Sequence, residues 1–390
     1  MRLLIATETY YPNISGVAVF SHNMAKKMVE RGMEVFVIAP SPKFEEYTEE
    51  VDGIKIFRVA SKINKFRKGY YVSKSPFKKV ARFIEDARPD VIHLQDPAWI
   101  SLSVLFKASK MQIPLVATNH FSLEYIISYL PYLKFIEPIF MKIASGYLDW
   151  FYSKCDIVTC PTQTVAKNFQ KGKIKDKIMV ISNGVDISRF LPHYGDINLV
   201  KKRWNIPLDK PLVLYVGRQD VDKNLITYIK AVPFVLKKLD ACFVLVGNGT
   251  EREKLKKAAK DLGVDKKVIF IDFVPHYAPI LPKIYQAASL FVNPCPCETL
   301  SLVVLEAEAS GLPIVAADAG ALPEVVRHGV NGLLFKPFDV YDLAQKIITL
   351  LKNPDLMGRM GQKSVELSEA HLVEHTYSQF EDIYLSLSGK

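Results

Sequence analysis

The sequence predicts an α/β protein made of two doubly wound parallel sheets. Short runs rich in β-branched residues alternate with helical patterns, and this alternation occurs twice, in two series of similar size. A stretch rich in Gly, Pro and Asn, between Asn183 and Pro211, separates the two series. Strand–helix alternation is typical of parallel sheets covered by helices on both faces. We therefore expect two Rossmann-like domains, residues 1–190 and 191–370, and a C-terminal helix in 371–390 that packs back on the first domain.

Each series supplies six buried runs that read as strands. In the first series these are 2–6, 34–39, 90–94, 114–118, 156–160 and 178–182, and in the second 212–216, 242–246, 267–271, 289–293, 313–317 and 331–335. The first helix is predicted because Val17, Phe20, Met24 and Met28 share one helical face, and Gly32 ends it. Further helices are expected at 224–238, 251–262, 300–310 and 340–352.

Composition favours a large folded core. The chain has 390 residues, of which 49% are hydrophobic and 24% are charged, which argues against global disorder. The five cysteines match no disulfide framework, and Cys295-Pro-Cys297 is too tight for a usual zinc pair, so we expect reduced thiols. We find no signal peptide and no spanning segment, and expect a cytoplasmic protein.

The net charge of +10 favours anionic partners. Residues 61–84 hold eight Lys and Arg side chains and no acid, interleaved with Phe and Tyr. This segment is either a solvated surface loop or a surface that contacts lipid headgroups or RNA. No nucleic-acid recognition motif is visible, so nucleic acid is not an expected partner.

Two carboxylates bracket an apolar run behind the predicted strand 289–293. Glu298 is expected in the loop at the carboxyl end of that strand, and Glu306 about two turns into a helix that starts near Leu300. The backbone N–H groups of Leu300, Ser301 and Leu302 would then suit a diphosphate, with hydroxyl-binding carboxylates on either side. The alternative is that Glu298 is only a helix-start acid and Glu306 faces solvent.

A second loop offers cations at a strand end. Gly217 follows the strand LVLYV and lets the backbone bend, and Arg218 and Lys223 would neutralise phosphates. Asp220 and Asp222 spell a DxD metal pattern, but they lie beside Lys223 in a surface-type loop, so no metal is expected.

Two residues of the first domain also follow strand ends. Gly16 lies at the start of the first helix, where a phosphate can approach, although the loop is not a GxGxxG fingerprint. Two sheets that bind ligands beyond their carboxyl ends suggest a cleft between the domains. His120 comes just after the strand PLVAT and is expected at this cleft; a structural or surface role is the alternative.

These motifs together resemble the family-4 retaining glycosyltransferases of the GT-B fold, in which two Rossmann-like domains face each other across a cleft. The resemblance covers nearly the whole chain. It is carried by YYPNISGVAVF, VATNHF, NGVDISRF, YVGRQDVDKN, LVGNGTEREKL, IDFVPHY and CETLSLVVLEAEASGLPIVAA. The order and spacing of these segments make it specific.

The resemblance implies roles for the residues of the second domain. Glu298 and Glu306 would hold the donor sugar and the nucleotide ribose. Arg218 and Lys223 would bind the donor diphosphate, and the backbone near Val274 would hold the base.

The resemblance also implies roles for two residues of the first domain, and it has departures. Gly16 would approach the diphosphate, and His120 would lie near the transferred sugar. Ser301 and Asp272 replace glycines usual in the family, and Ser301 is expected against the phosphate and sugar. Ser15 replaces another glycine, as in members that glycosylate diacylglycerol.

The implied reaction is transfer of a hexose, UDP-glucose being the expected donor, with retention of configuration. Fixed cations and the helix start would stabilise the leaving diphosphate, a task given to a metal in other folds, so no metal or other cofactor is expected.

The acceptor is predicted from the first domain. Residues 120–154 are rich in Tyr, Phe, Ile and Leu with sparse lysines, and form either two buried helices or an interfacial surface. Together with the basic segment 61–84, they favour a lipid acceptor such as diacylglycerol, on the anionic inner face of the cell membrane. The alternatives are a transferase for a soluble glycan, a sugar-nucleotide epimerase, and an inactive nucleotide-sugar sensor.

Overall fold

The chain divides into two compact units. A computed structural model describes residues 1–13, 15–64, 70–74, 77–120, 123, 137–169, 174–192 and 198–389. Of the described residues, the first unit holds 1–123, 137–183 and 374–389, and the second holds 184–373. Each unit is built around one main sheet and has its own hydrophobic core.

An eight-stranded sheet forms the centre of the first unit. In chain order its strands are β1 (Arg2–Ala6), β2 (Glu34–Pro40), β3 (Tyr47–Val51), β4 (Ile54–Val59), β7 (Val91–Leu94), β8 (Leu115–Thr118), β9 (Ile157–Cys160) and β10 (Ile178–Val180). Their spatial order is β10-β9-β8-β7-β1-β2-β4-β3. All neighbours are parallel except β3 and β4. A two-stranded antiparallel ribbon, β5 (Ser61–Ile63) and β6 (Tyr71–Ser73), lies outside this sheet.

The second unit contains a six-stranded sheet in which every pairing is parallel. Its strands are β11 (Leu212–Val216), β12 (Cys242–Val246), β13 (Val268–Ile271), β14 (Leu290–Asn293), β15 (Ile314–Ala317) and β16 (Gly332–Phe335). Their spatial order is β13-β12-β11-β14-β15-β16. Nearly all of their side chains are buried, as expected for a sheet covered on both faces.

Helices connect the strands of both units. Those of the first unit are α1 (Gly16–Glu30), α2 (Phe77–Ala87), α3 (Trp99–Met111), α4 (Glu137–Ser153), α5 (Gln163–Lys167) and α14 (Val373–Ser388). Those of the second are α6 (Asn198–Arg203), α7 (Leu225–Leu236), α8 (Arg252–Asp261), α9 (Ile280–Gln286), α10 (Leu302–Ala309), α11 (Leu322–Val325), α12 (Val340–Leu351) and α13 (Pro354–Ser368). No helix in the described part of the chain is long and apolar enough to cross a membrane.

The predicted α/β architecture is confirmed, and a strand is present at each of the twelve predicted positions. The strand predicted as buried at 178–182 is the exception in burial, since it is the short edge strand β10, in which Met179 and Val180 are exposed. The structure also adds elements at the other edge of the first sheet. The expectation of a simple loop over 61–84 is wrong for its described residues. Part of it pairs as β5 and β6, and the rest enters α2, where Val80 and Ile84 are buried. Strands β3 and β4 were not predicted. For β3 the reason is that it is an exposed, charged edge strand without an apolar run.

The C-terminal segment belongs to the first unit from Glu374 onward. Phe380 of α14 packs edge-to-face on Phe20 of α1, with ring centroids 5.8 Å apart. The boundary between the two units falls before Gly184, not after residue 190 as predicted. Val185 belongs to the second unit because it donates its N–H to the carbonyl of His371 and forms a β-bridge with Leu372, and both residues lie near the end of that unit.

A buried histidine links α14 to the sheet of the first unit. His93 Nδ1 lies 2.7 Å from the hydroxyl of Tyr384, and its Nε2 lies 2.7 Å from the hydroxyl of Thr118. Burial, followed by the nearby His120, lowers the pKa of His93 from 6.5 to about 3. The neutral ring is therefore the native form.

We expect acid to weaken the first unit through this histidine. The unfolded chain takes up the His93 proton below pH 6.5, whereas the folded unit resists it until about pH 3. The stabilising contribution is thus complete above pH 6.5 and falls by about 1.4 kcal/mol per pH unit as the pH drops toward 3. In His93→Gln this component of the slope should disappear.

The measurement is urea unfolding between pH 4 and 8 in a Trp204→Phe background. The remaining tryptophans, Trp99 and Trp150, both lie in the first unit and report on it alone. If the free energy of unfolding changed with pH equally in His93→Gln and in its parent, the low pKa of His93 would be refuted.

Candidate functional site

The order of the second sheet reverses between β11 and β14. From β11 the chain moves outward through β12 and β13, then returns to place β14 on the other side of β11. Open α/β sheets bind ligands beyond the carboxyl ends of the strands at such a point. The loop after β11 carries Arg218 and Lys223, and the loop after β14 carries Glu298. The topology thus brings three predicted site residues to one edge of the sheet.

The loop after β11 is packed tightly on the loop after β12. Gln219 donates its backbone N–H to the carbonyl of Asn248 and its side-chain amide to the carbonyl of Gly247. A Cβ on Gly247 would lie 2.0 Å from the carbonyl oxygen of Gly217, which leaves no room for a side chain. These contacts fix the backbone from which Arg218 projects.

Both cations of this loop contact carboxylates of the same loop. Arg218 forms ion pairs with Asp220 through Nη1 and with Asp222 through Nη2, the second at 3.1 Å. Asp222 also lies 3.4 Å from Lys223 Nζ. Asp220 accepts hydrogen bonds from the backbone and the hydroxyl of Thr250. The DxD carboxylates, one of them fully buried, therefore hold the two cations in place.

An ion pair joins the two loops. Lys223 Nζ donates to Glu298 Oε1 at 2.8 Å, and both side chains are largely buried. Burial disfavours the charged lysine, but Cys295, Glu298 and Asp222 outweigh it and raise the pKa of Lys223 well above its ordinary range. The ammonium is therefore permanently charged and is positioned to meet a phosphate or a sugar hydroxyl.

The helix behind Glu298 starts later than the sequence predicted. α10 begins at Leu302 with Ser301 as its N-cap, so Leu300 lies buried in the preceding loop and not in the first turn. The expectation that the Leu300 N–H is a helix-start donor is wrong. The hydroxyl of Ser301 accepts a hydrogen bond from the side-chain amide of Asn293, so the serine is an internal brace of the loop.

Glu306 is a buried residue, which contradicts the solvent-facing alternative. Only 4% of its surface is exposed, and it lies just over one turn into α10 rather than two. Its carboxylate accepts a hydrogen bond from Tyr285 at 2.6 Å, and His276 Nε2 lies at 3.1 Å. Arg189 in turn donates to the backbone carbonyl of His276. The partners of Glu306 were not predicted, because nothing in their own segments marks them.

The segment after β13 carries the residue expected at the base. Val274 is partly buried and packs against the core of the second unit. Phe273 and Tyr277 on either side are exposed.

The first unit holds the two remaining predicted residues. Gly16 is the first residue of α1, and Ser15 caps this helix by accepting the N–H of Ala18 at 3.1 Å. His120 lies directly after β8 and is buried, with its Nε2 2.7 Å from Gln95 Oε1. Burial lowers the pKa of His120 to about 3, so the ring is neutral.

A pair of acids at the same end of the first sheet was missed. Glu8 follows β1 and Asp96 follows β7, the neighbours between which this sheet also reverses its order. Asp96 accepts the backbone N–H of Glu8, and Glu8 accepts the N–H groups of Ser73 and Ile100. Burial, followed by the charge of Asp96, raises the pKa of Glu8 to about 7. Their positions just after buried strands could have identified both acids from the sequence.

The architecture matches that of solved structures. The structure resembles a sucrose-phosphate synthase from Thermosynechococcus elongatus (TM-score 0.79, 20% identity, 99% of this chain and 98% of the other). It also resembles an Anabaena protein solved in complex with UDP and glucose (TM-score 0.77, 21% identity, 99% and 100%). The chain therefore has the GT-B glycosyltransferase fold, as predicted.

The family follows from the sequence models. Residues 14–189 match glycosyltransferase family 4, and residues 196–366 match the glycosyl transferases of group 1. The chain belongs to these GT-B glycosyltransferases, with one of the two domains in each half.

Three relatives are similar over most of their length. An alpha-monoglucosyldiacylglycerol synthase of Streptococcus pneumoniae is 26% identical, over 99% of this chain and 87% of its own. A sulfoquinovosyl transferase of Arabidopsis thaliana is 28% identical, over 92% and 68%. A GDP-mannose-dependent alpha-mannosyltransferase of Mycolicibacterium smegmatis is 28% identical, over 86% and 84%.

The loop that carries Glu298 depends on a glycine after β15. Gly320 has a φ of +56°, and a Cβ there would lie 2.6 Å from the carbonyl oxygen of Glu298. Gly329 has a φ of +79°, and a Cβ there would meet nothing within 4 Å, so it is a matched control for backbone strain alone. We expect Gly329→Ala to lower the free energy of unfolding of the second unit by about 1–2 kcal/mol, because of backbone strain. Gly320→Ala should lower it by about 1–3 kcal/mol more, because of the additional steric clash.

The measurement is urea unfolding followed by Trp204, which packs against the core of the second unit, with Trp99 and Trp150 replaced by phenylalanine. If both alanine variants lost the same free energy of unfolding, the predicted clash between a side chain at position 320 and the Glu298 carbonyl would be excluded.

Proposed function

We propose that this glycosyltransferase is a retaining, metal-independent hexosyltransferase. It transfers a hexose, from UDP-glucose as the leading donor, to a membrane lipid such as diacylglycerol. It works in the cytoplasm as a peripheral protein of the inner face of the cell membrane.

The ion pair of Lys223 and Glu298 is the observation that carries the donor site. A nucleotide sugar presents a diphosphate next to sugar hydroxyls, and this pair offers an ammonium next to a carboxylate, 2.8 Å apart. Arg218 adds a second cation from the same loop. The amides at the start of α10 favour negative charge at the same edge of the sheet. Glu306, just over one turn into that helix, would accept hydrogen bonds from the ribose hydroxyls.

These groups fit the charge that develops during transfer. The bond between the anomeric carbon and the diphosphate oxygen breaks, and a bond from the acceptor hydroxyl oxygen forms on the same face of the sugar. The hydroxyl proton passes to the departing phosphate oxygen. Arg218, Lys223 and the helix start stabilise the leaving diphosphate. His120 stays neutral, because its pKa is about 3, and contributes hydrogen bonding to the transferred sugar rather than charge.

An exposed aromatic surface of the first unit supports a lipid acceptor. Ring pairs connect α2, α3 and α4, from Phe77 to Phe106 at 6.5 Å and from Phe106 to Trp150 at 6.0 Å. On α4, Ile139 and Ile143 are 64% and 69% exposed. With Tyr147 and Trp99, these residues form what we call the aromatic surface. The expectation of two buried helices is wrong for the described part of the segment, since this face of α4 is open.

Basic side chains accompany the aromatic surface. Lys78, Arg82, Lys110 and Lys142 are exposed on the same three helices. A basic, aromatic surface is typical of proteins that bind at lipid headgroups. Residues 124–136, which hold the predicted tyrosine-rich stretch, lie outside the described residues. One of the relatives named above, the alpha-monoglucosyldiacylglycerol synthase, carries a lipid-directed name, which supports the same class of acceptor.

The test of the function is a panel of UDP- and GDP-sugars with liposomes that contain diacylglycerol, in the presence of EDTA. Glycolipid formed from one donor would establish the proposal and name the donor. Donor hydrolysis without glycolipid would move the acceptor to a soluble glycan. Loss of activity in EDTA that a divalent cation restores would refute metal independence, and inactivity with every donor would refute the transferase.

We expect Lys223→Ala and Glu298→Gln each to lower kcat/KM by about 100- to 1,000-fold, because each removes a fixed group at the developing charge. Lys256→Ala is the matched control, since this lysine is an exposed partner of Glu253 in the same unit. Circular dichroism checks that the variants are folded. Full activity in either site variant would refute the assigned donor site.

The aromatic surface should be needed for binding to membranes and not for hydrolysis of the nucleotide-sugar donor. We expect the double variant Phe106→Ala/Trp150→Ala to bind anionic liposomes about 10-fold more weakly, with donor hydrolysis unchanged. Phe338→Ala removes an exposed ring of the second unit and should leave liposome binding at the wild-type level. Co-sedimentation measures the binding, and equal binding by all three proteins would exclude this surface.

A further inference from the structure

Two thiols and a carboxylate meet beside the proposed donor site. The Sγ atoms of Cys295 and Cys297 and a carboxylate oxygen of Asp222 all lie within 4.8 Å of one another. Cys295 and Asp222 are buried, and Cys297 is partly exposed. Among the described residues, this is the one group of three or more His, Cys, Asp or Glu side chains with metal-ligand spacing.

The separation of the two sulfur atoms fits a tetrahedral metal ion. The two sulfur atoms are 3.9 Å apart. Zinc–sulfur bonds of about 2.3 Å at a tetrahedral angle place two sulfurs about 3.8 Å apart. One residue between two cysteines is unusual for a zinc pair, and for that reason the sequence alone favours reduced thiols. The fold overrides this objection, because it brings a third ligand from the loop after β11.

Both thiols lie against the backbone of the residue that supplies the third ligand. Cys295 donates to the carbonyl oxygen of Asp222 at 3.2 Å, and Cys297 lies 3.8 Å from the same oxygen. Burial raises the pKa of the Cys295 thiol well above its ordinary range, so a metal must displace its proton. Metal binding to such a pair releases protons and strengthens as the pH rises.

We propose that Asp222, Cys295 and Cys297 form a binding site for a thiophilic divalent cation such as Zn²⁺, which takes no part in sugar transfer. Three protein ligands leave a fourth position for water. The partial exposure of Cys297 provides the side from which the ion enters.

The bound cation would weaken donor binding, a consequence that rests on the proposed function. Lys223 Nζ lies 3.7 Å from Cys295 Sγ, so a divalent ion on that sulfur repels the ammonium. The ion also takes the Asp222 carboxylate that pairs with Arg218 and Lys223. Both effects disturb the pair of Lys223 and Glu298.

The site is tested with Co²⁺ as a spectroscopic probe, on the full chain without a tag, reduced and freed of metal. We expect the thiolate-to-cobalt charge-transfer band and the visible bands of tetrahedral Co²⁺, displaced by one equivalent of Zn²⁺ and stronger at about pH 8.5 than at about pH 7. Cys297→Ser and Cys297→Ala should lose these bands. Cys242→Ser should keep them, since Cys242 is buried at the start of β12, outside the cluster.

Absence of the bands in the wild-type protein, or their persistence in a folded Cys297 variant, would overturn the site. The coupling is tested by UDP titration of the metal-free and the Zn²⁺-saturated protein, where we expect about 10-fold weaker binding with Zn²⁺. Unchanged or tighter UDP binding would refute the coupling. Failure of the metal-free protein to bind UDP, with the cobalt bands intact, would instead count against the proposed function alone.

Discussion

The candidate site of the second unit depends on the ion pair between Lys223 and Glu298. This pair closes the gap between the loops that follow β11 and β14, the neighbouring strands at which the sheet reverses its order. The parallel sheet delivers both loops to one edge, and Gly320 leaves room for the Glu298 backbone to sit there. Because both side chains are largely withdrawn from water, the Coulomb attraction between them is stronger than in a surface ion pair of the same length, and the cost of desolvating both charges offsets part of it. Further contacts complete the arrangement, since Asp220 and Asp222 hold Arg218 and Asn293 braces Ser301 at the start of α10.

The carboxylates around the pair explain how two cations can lie close together in one loop. Arg218 and Lys223 share the carboxylate of Asp222, and Arg218 also pairs with Asp220. Two neighbouring cations without such partners would repel each other and lose hydration. In the proposed donor site, a diphosphate would take over these contacts, and the carboxylates would act as placeholders for it. Asp222, whose carboxylate the two cations share, is also the residue that lies next to the thiols of Cys295 and Cys297.

Much of the fold was predictable, because strands buried on both faces must be continuous apolar runs, and these stand out in the sequence. Strand β3 could not be found this way, since an exposed edge strand such as Tyr47–Val51 buries too little to show a pattern. In the site, the positions of Glu298 and Lys223 followed from strand ends. The burial of Glu306 by Tyr285 and the bracing of Ser301 by Asn293 did not, because each partner comes from a separate segment that only the packed fold brings near.

The chain path also fixes an order of events during synthesis. The second unit is inserted into the first, because the first is completed only by the segment from Glu374 onward. Phe380 and Tyr384 fill positions against Phe20 and His93, residues made near the beginning of the chain. On the ribosome, the amino-terminal sheet must therefore wait with part of its core uncovered while the inserted unit emerges and folds. The usual sequence, in which the amino-terminal domain finishes first, is reversed in this protein.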